Sequence, residues 1–170
     1  MPSELIDPSY FTPDVRDFIR LLDKHDVRYL IVGGEAVIFY GHARLTGDVD
    51  FFYDSELENA RRLYAALDEF WEGSLPGLAC ADELTEPGLI LQFGVPPNRI
   101  DLMNRIDAVV FEDAWKERVV VVLEINDHGV SVNYVGLEEL ITNKEAAARP
   151  KDLDDLPFMR EALQLRRRQG

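Results

Sequence analysis

The segment that most restricts what this chain can fold into is Arg28-Tyr-Leu-Ile-Val32, a short apolar run that ends abruptly in Gly33-Gly34. Its length and β-branched content predict a buried strand. Glu35 to Tyr40 then reads as a helix opening directly from the glycines, with Gly41 placed to stop it. A strand, a glycine turn and a helix in immediate succession commit the chain to a fold that mixes sheet and helix.

The flanking sequence extends this pattern. Thr12-Pro13 is an N-cap followed by proline in the first turn, and Val15, Phe18, Ile19, Leu21 and Leu22 recur at helical spacing, so a helix is expected from Pro13 to about His25. Asp48-Val-Asp-Phe-Phe-Tyr53 alternates over its first four positions and predicts a strand. Glu56 to Trp71 predicts an amphipathic helix carrying Leu57, Ala60, Leu63, Tyr64, Leu67 and Phe70 toward a core, and Gly73 to Pro87 reads as loop. Two hairpins follow: Leu89–Phe93 with Ile100–Met103, and Val119–Ile125 with Val130–Val135 across Asn126-Asp-His-Gly129. Helices over Leu137–Ala148 and Leu153 to about Arg167, separated by Arg149-Pro150, complete the pattern.

At 170 residues, 46% of them hydrophobic, one domain is expected over 1–170, with a core at about 28–135 and a C-terminal helical segment at about 137–167. The single cysteine, Cys80, forms no internal bridge, and the first ten residues lack the basic start and apolar run of a signal peptide, so a cytoplasmic protein is expected. The longest apolar run, Val119 to Leu123, falls far short of the roughly 20 residues that span a bilayer, so no membrane partner is expected. A net charge of −14 disfavours indiscriminate nucleic-acid binding.

Asp48 and Asp50 are two apart on a predicted strand, so both side chains leave one face with Cα atoms about 6.5 to 7 Å apart. Such a pair suits Mg²⁺ or Mn²⁺; it is equally compatible with two carboxylates facing water. Asp101, between Ile100 and Leu102, has the spacing to reach the same face, or else to face solvent. Three carboxylates from two strands are what a two-metal phosphoryl-transfer site requires. Gly33-Gly34 permits close backbone approach to an anion, and serves as well for a tight turn. Arg44 and Thr46 offer phosphate a guanidinium fork and a hydroxyl; both residue types are also ordinary in loops.

Val32-Gly33-Gly34, thirteen residues, then Asp48-Val49-Asp50-Phe51 with Asp101 on a later strand resembles the defining pattern of the DNA polymerase beta-like nucleotidyltransferase superfamily. Gly41-His-Ala-Arg44-Leu-Thr46, Gly94-Val-Pro-Pro97-Asn-Arg-Ile-Asp101 and Arg149-Pro-Lys151-Asp152-Leu-Asp154-Asp155 extend the resemblance to small bacterial and archaeal nucleotidyltransferases related to abortive-infection toxins. The resemblance implies an α+β fold, a mixed and mostly antiparallel sheet with helices packed on one side. It implies Mg²⁺ or Mn²⁺ on Asp48, Asp50 and Asp101 as catalytic residues. A nucleoside triphosphate such as ATP would lie near Gly33, Gly34, Arg44 and Thr46, with Lys144, Arg149, Lys151 and Asp152 at the positions of a further motif. The acceptor it allows is a tRNA, a protein or a small molecule, and it also allows a cognate antitoxin-like protein as partner. The alternative is a catalytically silent nucleotide-binding or toxin–antitoxin partner module of the same fold.

Overall fold

The structure is a computed structural model and describes residues 5–170. Its framework is a sheet of seven strands: β1 (Leu5–Ile6), β2 (Tyr29–Val32), β3 (Asp48–Tyr53), β4 (Ile90–Phe93), β5 (Arg99–Met103), β6 (Val119–Ile125) and β7 (His128–Tyr134). They lie in the order β1-β6-β7-β2-β3-β5-β4. Six helices accompany them: α1 (Pro13–Lys24), α2 (Gly33–Phe39), α3 (Leu57–Phe70), α4 (Phe111–Lys116), α5 (Leu137–Ala147) and α6 (Pro150–Gln169). The α+β class and the mixed sheet are as expected.

The pairing alternates: β6–β7, β2–β3 and β4–β5 are antiparallel, whereas β1–β6, β2–β7 and β3–β5 are parallel. Taken together, the antiparallel ladders are the longer, in keeping with the mixed, mostly antiparallel sheet expected. The β6–β7 and β4–β5 pairs are hairpins, β2–β3 is an antiparallel pair joined through α2, and the parallel β3–β5 pair is made after the chain has passed through α3 and β4.

Strand periodicity sets which residues meet which layer. Phe51 packs edge-on against Phe18 of α1 and Tyr29 of β2, at ring separations of 5.2 and 5.5 Å, and Phe18 in turn meets Phe70 of α3 at 5.4 Å. This layer is the main core, and it uses the stripe Val15, Phe18, Ile19, Leu21 and Leu22 foreseen for α1. Phe52 points to the opposite face and meets Phe111 of α4 at 5.1 Å, so helix is not confined to one side of the sheet. The remainder of that second face carries Asp48 and Asp50.

Local chemistry explains the boundaries. Thr12 caps α1, its hydroxyl accepting from the Val15 amide at 3.5 Å. The β6–β7 turn is tighter than the four residues expected: Ile125 pairs with His128, leaving Asn126 and Asp127 as a two-residue loop with φ of 49° and 63°. Positive φ at both central positions matches the right-handed twist of a hairpin, and Asn and Asp tolerate it. Helix α6 begins at Pro150 rather than Leu153, because proline suits the first helical position and the Asp152 carboxylate accepts from the Arg149 amide at 3.1 Å. Leu57, expected in the core, is 40% exposed. Four short elements had no periodicity to announce them: β1, α4 and 3-10 turns at Pro8–Tyr10 and Ala81–Thr85. Among the described residues no helix is long and apolar enough to cross a membrane.

Candidate active site

The parallel pairing of β3 with β5 places Asp50 level with Asp101 and Asp48 level with Arg99. Because side chains alternate along strands, all four residues project from the same face. Carboxylate oxygens of Asp48, Asp50 and Asp101 lie within 4.8 Å of one another. Asp101 is only 5% exposed, so the solvent-facing alternative does not apply to it.

These carboxylates differ in their surroundings. Burial works against ionisation of Asp48, but hydrogen bonds from the Asp101 carboxyl, Arg99 and Thr46 outweigh it and hold Asp48 below its ordinary value. Asp50 is pushed up to about 7 by burial, and then by the charges of Asp48 and Asp101. Asp101 is raised too, chiefly by burial and by its hydrogen bond with Asp48, while Arg99 pulls the other way. With no cation bound, the three therefore hold fewer than three negative charges at neutral pH, because burial and each ionised carboxylate disfavour ionisation of the next.

Arg99 supplies the positive charge present. Its Nη2 reaches Asp48 Oδ2 at 2.5 Å, and its Nε and Nη2 donate to the two oxygens of Asp101 at 3.1 Å each. The Thr46 hydroxyl donates to Asp48 Oδ1 at 3.1 Å, and Gln92 Nε2 donates to Asp101 Oδ2 at 3.4 Å.

Gly33 and Gly34 border the same carboxylates, and each is there for a reason a larger residue would defeat. Gly33 opens α2 with φ of +65°, and a Cβ on it would overlap the Asp50 carboxylate. A Cβ at Gly34 would come within 2.9 Å of Arg44 Nη2 and 3.0 Å of the Thr46 hydroxyl, so these two side chains fill the space beside the turn. Gly33→Ala is expected to cost about 2–3 kcal/mol, from the left-handed backbone together with the displaced carboxylate. Urea unfolding checks this, and Gly33→Ala combined with Asp50→Ala should recover the steric part.

From the C-terminal segment, Lys144 is buried at 3% exposure between two carboxylates, 3.2 Å from Asp152 Oδ1 and 2.8 Å from Asp155 Oδ2. Arg44 Nε ion-pairs with Asp155 at 3.2 Å, and Arg149 Nε donates to Asp152 at 2.8 Å. Although burial raises it, Asp152 is held below its ordinary value by the hydrogen bonds from Arg149 and Lys144. Two aspartates thus tie α5 and α6 to the loop that carries Arg44. The side chain of Arg149 is largely exposed, and Lys151 is exposed beside it.

All the residues singled out from sequence line one cleft of about 880 Å³, within the range of small-molecule sites. One wall carries Gly33, Gly34, Arg44, Arg149 and Lys151; the other is uncharged, with Ile90, Gln92, Pro96 and Met103. Three contributors had escaped attention in the sequence. Arg99 was legible from its spacing, two before Asp101 on one strand face. Asp155 is three residues beyond Asp152 on one helix face, whereas Gln92 becomes a neighbour of Asp101 only through the register of the hairpin. A separate groove of about 490 Å³ near Pro8, Pro13 and Glu124 has no comparable carboxylate cluster among the described residues.

No curated protein matches the chain. A family match covers residues 13–161, which takes in the Gly-Gly turn, the three aspartates, and Lys144 through Asp155. That family's description extends to nucleotidyl transfer and does not mention the toxin relatives. The carboxylate cluster, the glycine turn and this match agree, and the chain belongs to the family described as "nucleotidyltransferase of unknown function (DUF6036)".

Proposed function

We propose that the protein transfers a nucleoside monophosphate from a nucleoside triphosphate to an acceptor, in a reaction that depends on a divalent cation held by Asp48, Asp50 and Asp101. The observation that carries this reading is the convergence of three carboxylates to within 4.8 Å beside a wall of basic residues. The donor set fits Mg²⁺ or Mn²⁺: hard oxygens are the preferred ligands, and ligands about 2.1 Å from such an ion are at most ~4.2 Å apart, so small side-chain movements suffice. Bound there, the cation would offset charge on the phosphates and lower the pKa of the attacking hydroxyl.

The chain's own residues account for the remainder. Arg44, Arg149 and Lys151, with the backbone at Gly33-Gly34, border the space for the triphosphate, and Lys144 and Asp152 hold that wall in place. Acceptor oxygen attacks the α-phosphorus, the α–β phosphoanhydride bond breaks, and pyrophosphate leaves with the bonding electrons. Asp101, beside the uncharged wall where an acceptor has room, is placed to take the acceptor's proton. Because α5 and α6 complete the cleft built by β3 and β5, residues 1–170 act in this reading as one functional unit. A chain of net charge −14 suits a small-molecule or protein acceptor better than RNA.

Titration calorimetry with each of the four ribonucleoside triphosphates, with Mg²⁺ and with chelator, tests the reading. Metal-dependent binding that Asp48→Asn/Asp50→Asn abolishes is the expected result. Equal binding in chelator would refute metal dependence, and binding without pyrophosphate release for any acceptor would favour a silent nucleotide-binding module.

A further inference from the structure

Arg99 has no part in the reaction set out above, yet it engages the carboxylates more fully than any other side chain among the described residues. Of the four oxygens on Asp48 and Asp101, three accept a hydrogen bond from its guanidinium. The fourth, Asp48 Oδ1, accepts from Thr46. Asp50, by contrast, accepts no hydrogen bond from a basic side chain among those residues. The oxygens a divalent cation would need on Asp48 and Asp101 are thus the ones already in use. A guanidinium and a metal ion compete for the same lone pairs.

We infer that Arg99 is a displaceable counter-ion: it holds Asp48 and Asp101 in position when no cation is present, and gives up at least one of them when a cation enters. This rests on the metal-dependent reading of the site. Two consequences follow from the geometry. First, metal alone binds weakly, since each ion must break charge-assisted hydrogen bonds of the bidentate kind, which are among the strongest a protein makes. Second, the released guanidinium lies in the triphosphate cleft, where its side chain is already 33% exposed, and can meet phosphate oxygens that arrive with the metal. Metal and triphosphate then strengthen each other's binding, and the coupling is reciprocal.

The experiment is titration of Mn²⁺ alone, without nucleotide, into the wild-type protein, Arg99→Gln and Arg99→Lys, followed by calorimetry and by the spin signal of free manganese. Arg99→Gln is expected to bind Mn²⁺ about tenfold tighter than wild type, the equivalent of one charge-assisted hydrogen bond that no longer has to be broken, with Arg99→Lys between them because an ammonium cannot bridge both carboxylates as a fork. The Mn²⁺ affinity of Arg99→Gln should also respond less to added triphosphate. Unchanged or weaker Mn²⁺ binding by Arg99→Gln, with wild type binding normally, overturns the counter-ion role and leaves the metal site intact. Absence of Mn²⁺ binding in all three proteins instead overturns the metal reading itself. A measurement on the unaltered protein is independent of variant folding: the Arg99 Nε–H and Nη2–H resonances should both be protected from exchange in metal-free protein, and at least one of them should lose that protection as Mg²⁺ saturates. Protection of both that persists at saturation refutes displacement.

Discussion

Asp50→Asn is expected to abolish metal-dependent turnover and, in the same protein, to raise the melting temperature measured without metal. The first effect follows from the proposed function, in which Asp50 is one of the cation's ligands. Residues one shell further out already cost ~10–100-fold in metal affinity when replaced, so a direct ligand should cost at least as much. The second follows from the direction in which the fold moves this carboxyl. Burial and the charges of Asp48 and Asp101 lift Asp50 from 3.8 to about 7. A carboxyl raised in this way contributes fully to stability below its unfolded value of 3.8, and loses that contribution as the pH rises through about 7. Ionised Asp50 therefore weakens the metal-free fold at pH 8 by a few kcal/mol, since each tenfold change in a carboxyl's ionisation constant is worth about 1.4 kcal/mol. Asparagine removes that penalty. Thermal melts at pH 5 and pH 8, with chelator and with Mg²⁺, check all of this. Wild type should gain from Mg²⁺ at pH 8 and little at pH 5, where Asp50 is protonated. The variant should be insensitive to Mg²⁺ and should lose less stability than wild type between pH 5 and pH 8, the remainder coming from groups such as Glu35, which burial pushes up to about 7 in both proteins. A variant less stable than wild type at pH 8 in chelator would contradict the carboxylate repulsion that underlies both effects.

Lys144→Met should be the most destabilising single change in the cleft. It leaves Asp152 and Asp155, each 2% exposed, without the ammonium that lies between them. Breaking a buried ion pair from one side costs about 3–5 kcal/mol, because the remaining charge has lost its partner in a medium that solvates it poorly. Arg149 and Arg44 remain beside the two carboxylates, which sets the expectation toward the lower end of that range. The midpoint of urea unfolding reads the loss directly. Adding Asp155→Asn to Lys144→Met should recover part of it, since a neutral amide no longer needs a counter-charge. If Lys144→Met instead matched wild type in stability while losing triphosphate binding, the lysine would be a direct ligand of phosphate and not a strut.

The same residues show where sequence is informative and where it stops. Asp48 and Asp50 were legible because a strand has a period of two, and Asp101 because its apolar neighbours fix which way it points. Helices α1 and α3 were legible from their amphipathic stripes and, for α1, from Thr12-Pro13. Helix α4, six residues long, has too few turns to show a stripe, and β1 is two residues. The sheet's alternation of parallel and antiparallel pairs depends on how long excursions return, which no local pattern records. Lys144 illustrates the limit most clearly. Along the chain it is one more lysine on a helix, and its burial arises only because Ala148 adopts φ of +48° and turns α6 back over α5. Arg99 was the opposite case: its spacing from Asp101 was plain, but its hold on Asp48 depends on the parallel register of β3 with β5.

Helix α6 follows every other part of the cleft in the chain, and it supplies both carboxylates that enclose Lys144. During synthesis the sheet, its three aspartates, Gly33-Gly34 and Arg44 therefore emerge from the ribosome before the helix that anchors Arg44 and Lys144. A nascent chain that has reached Arg149 exposes the carboxylates and carries Arg44, Lys144 and Arg149 without the two aspartates that hold them. The timing of translation thus sets when the cleft is completed, and a chain cut before Pro150 is left with a half-built site.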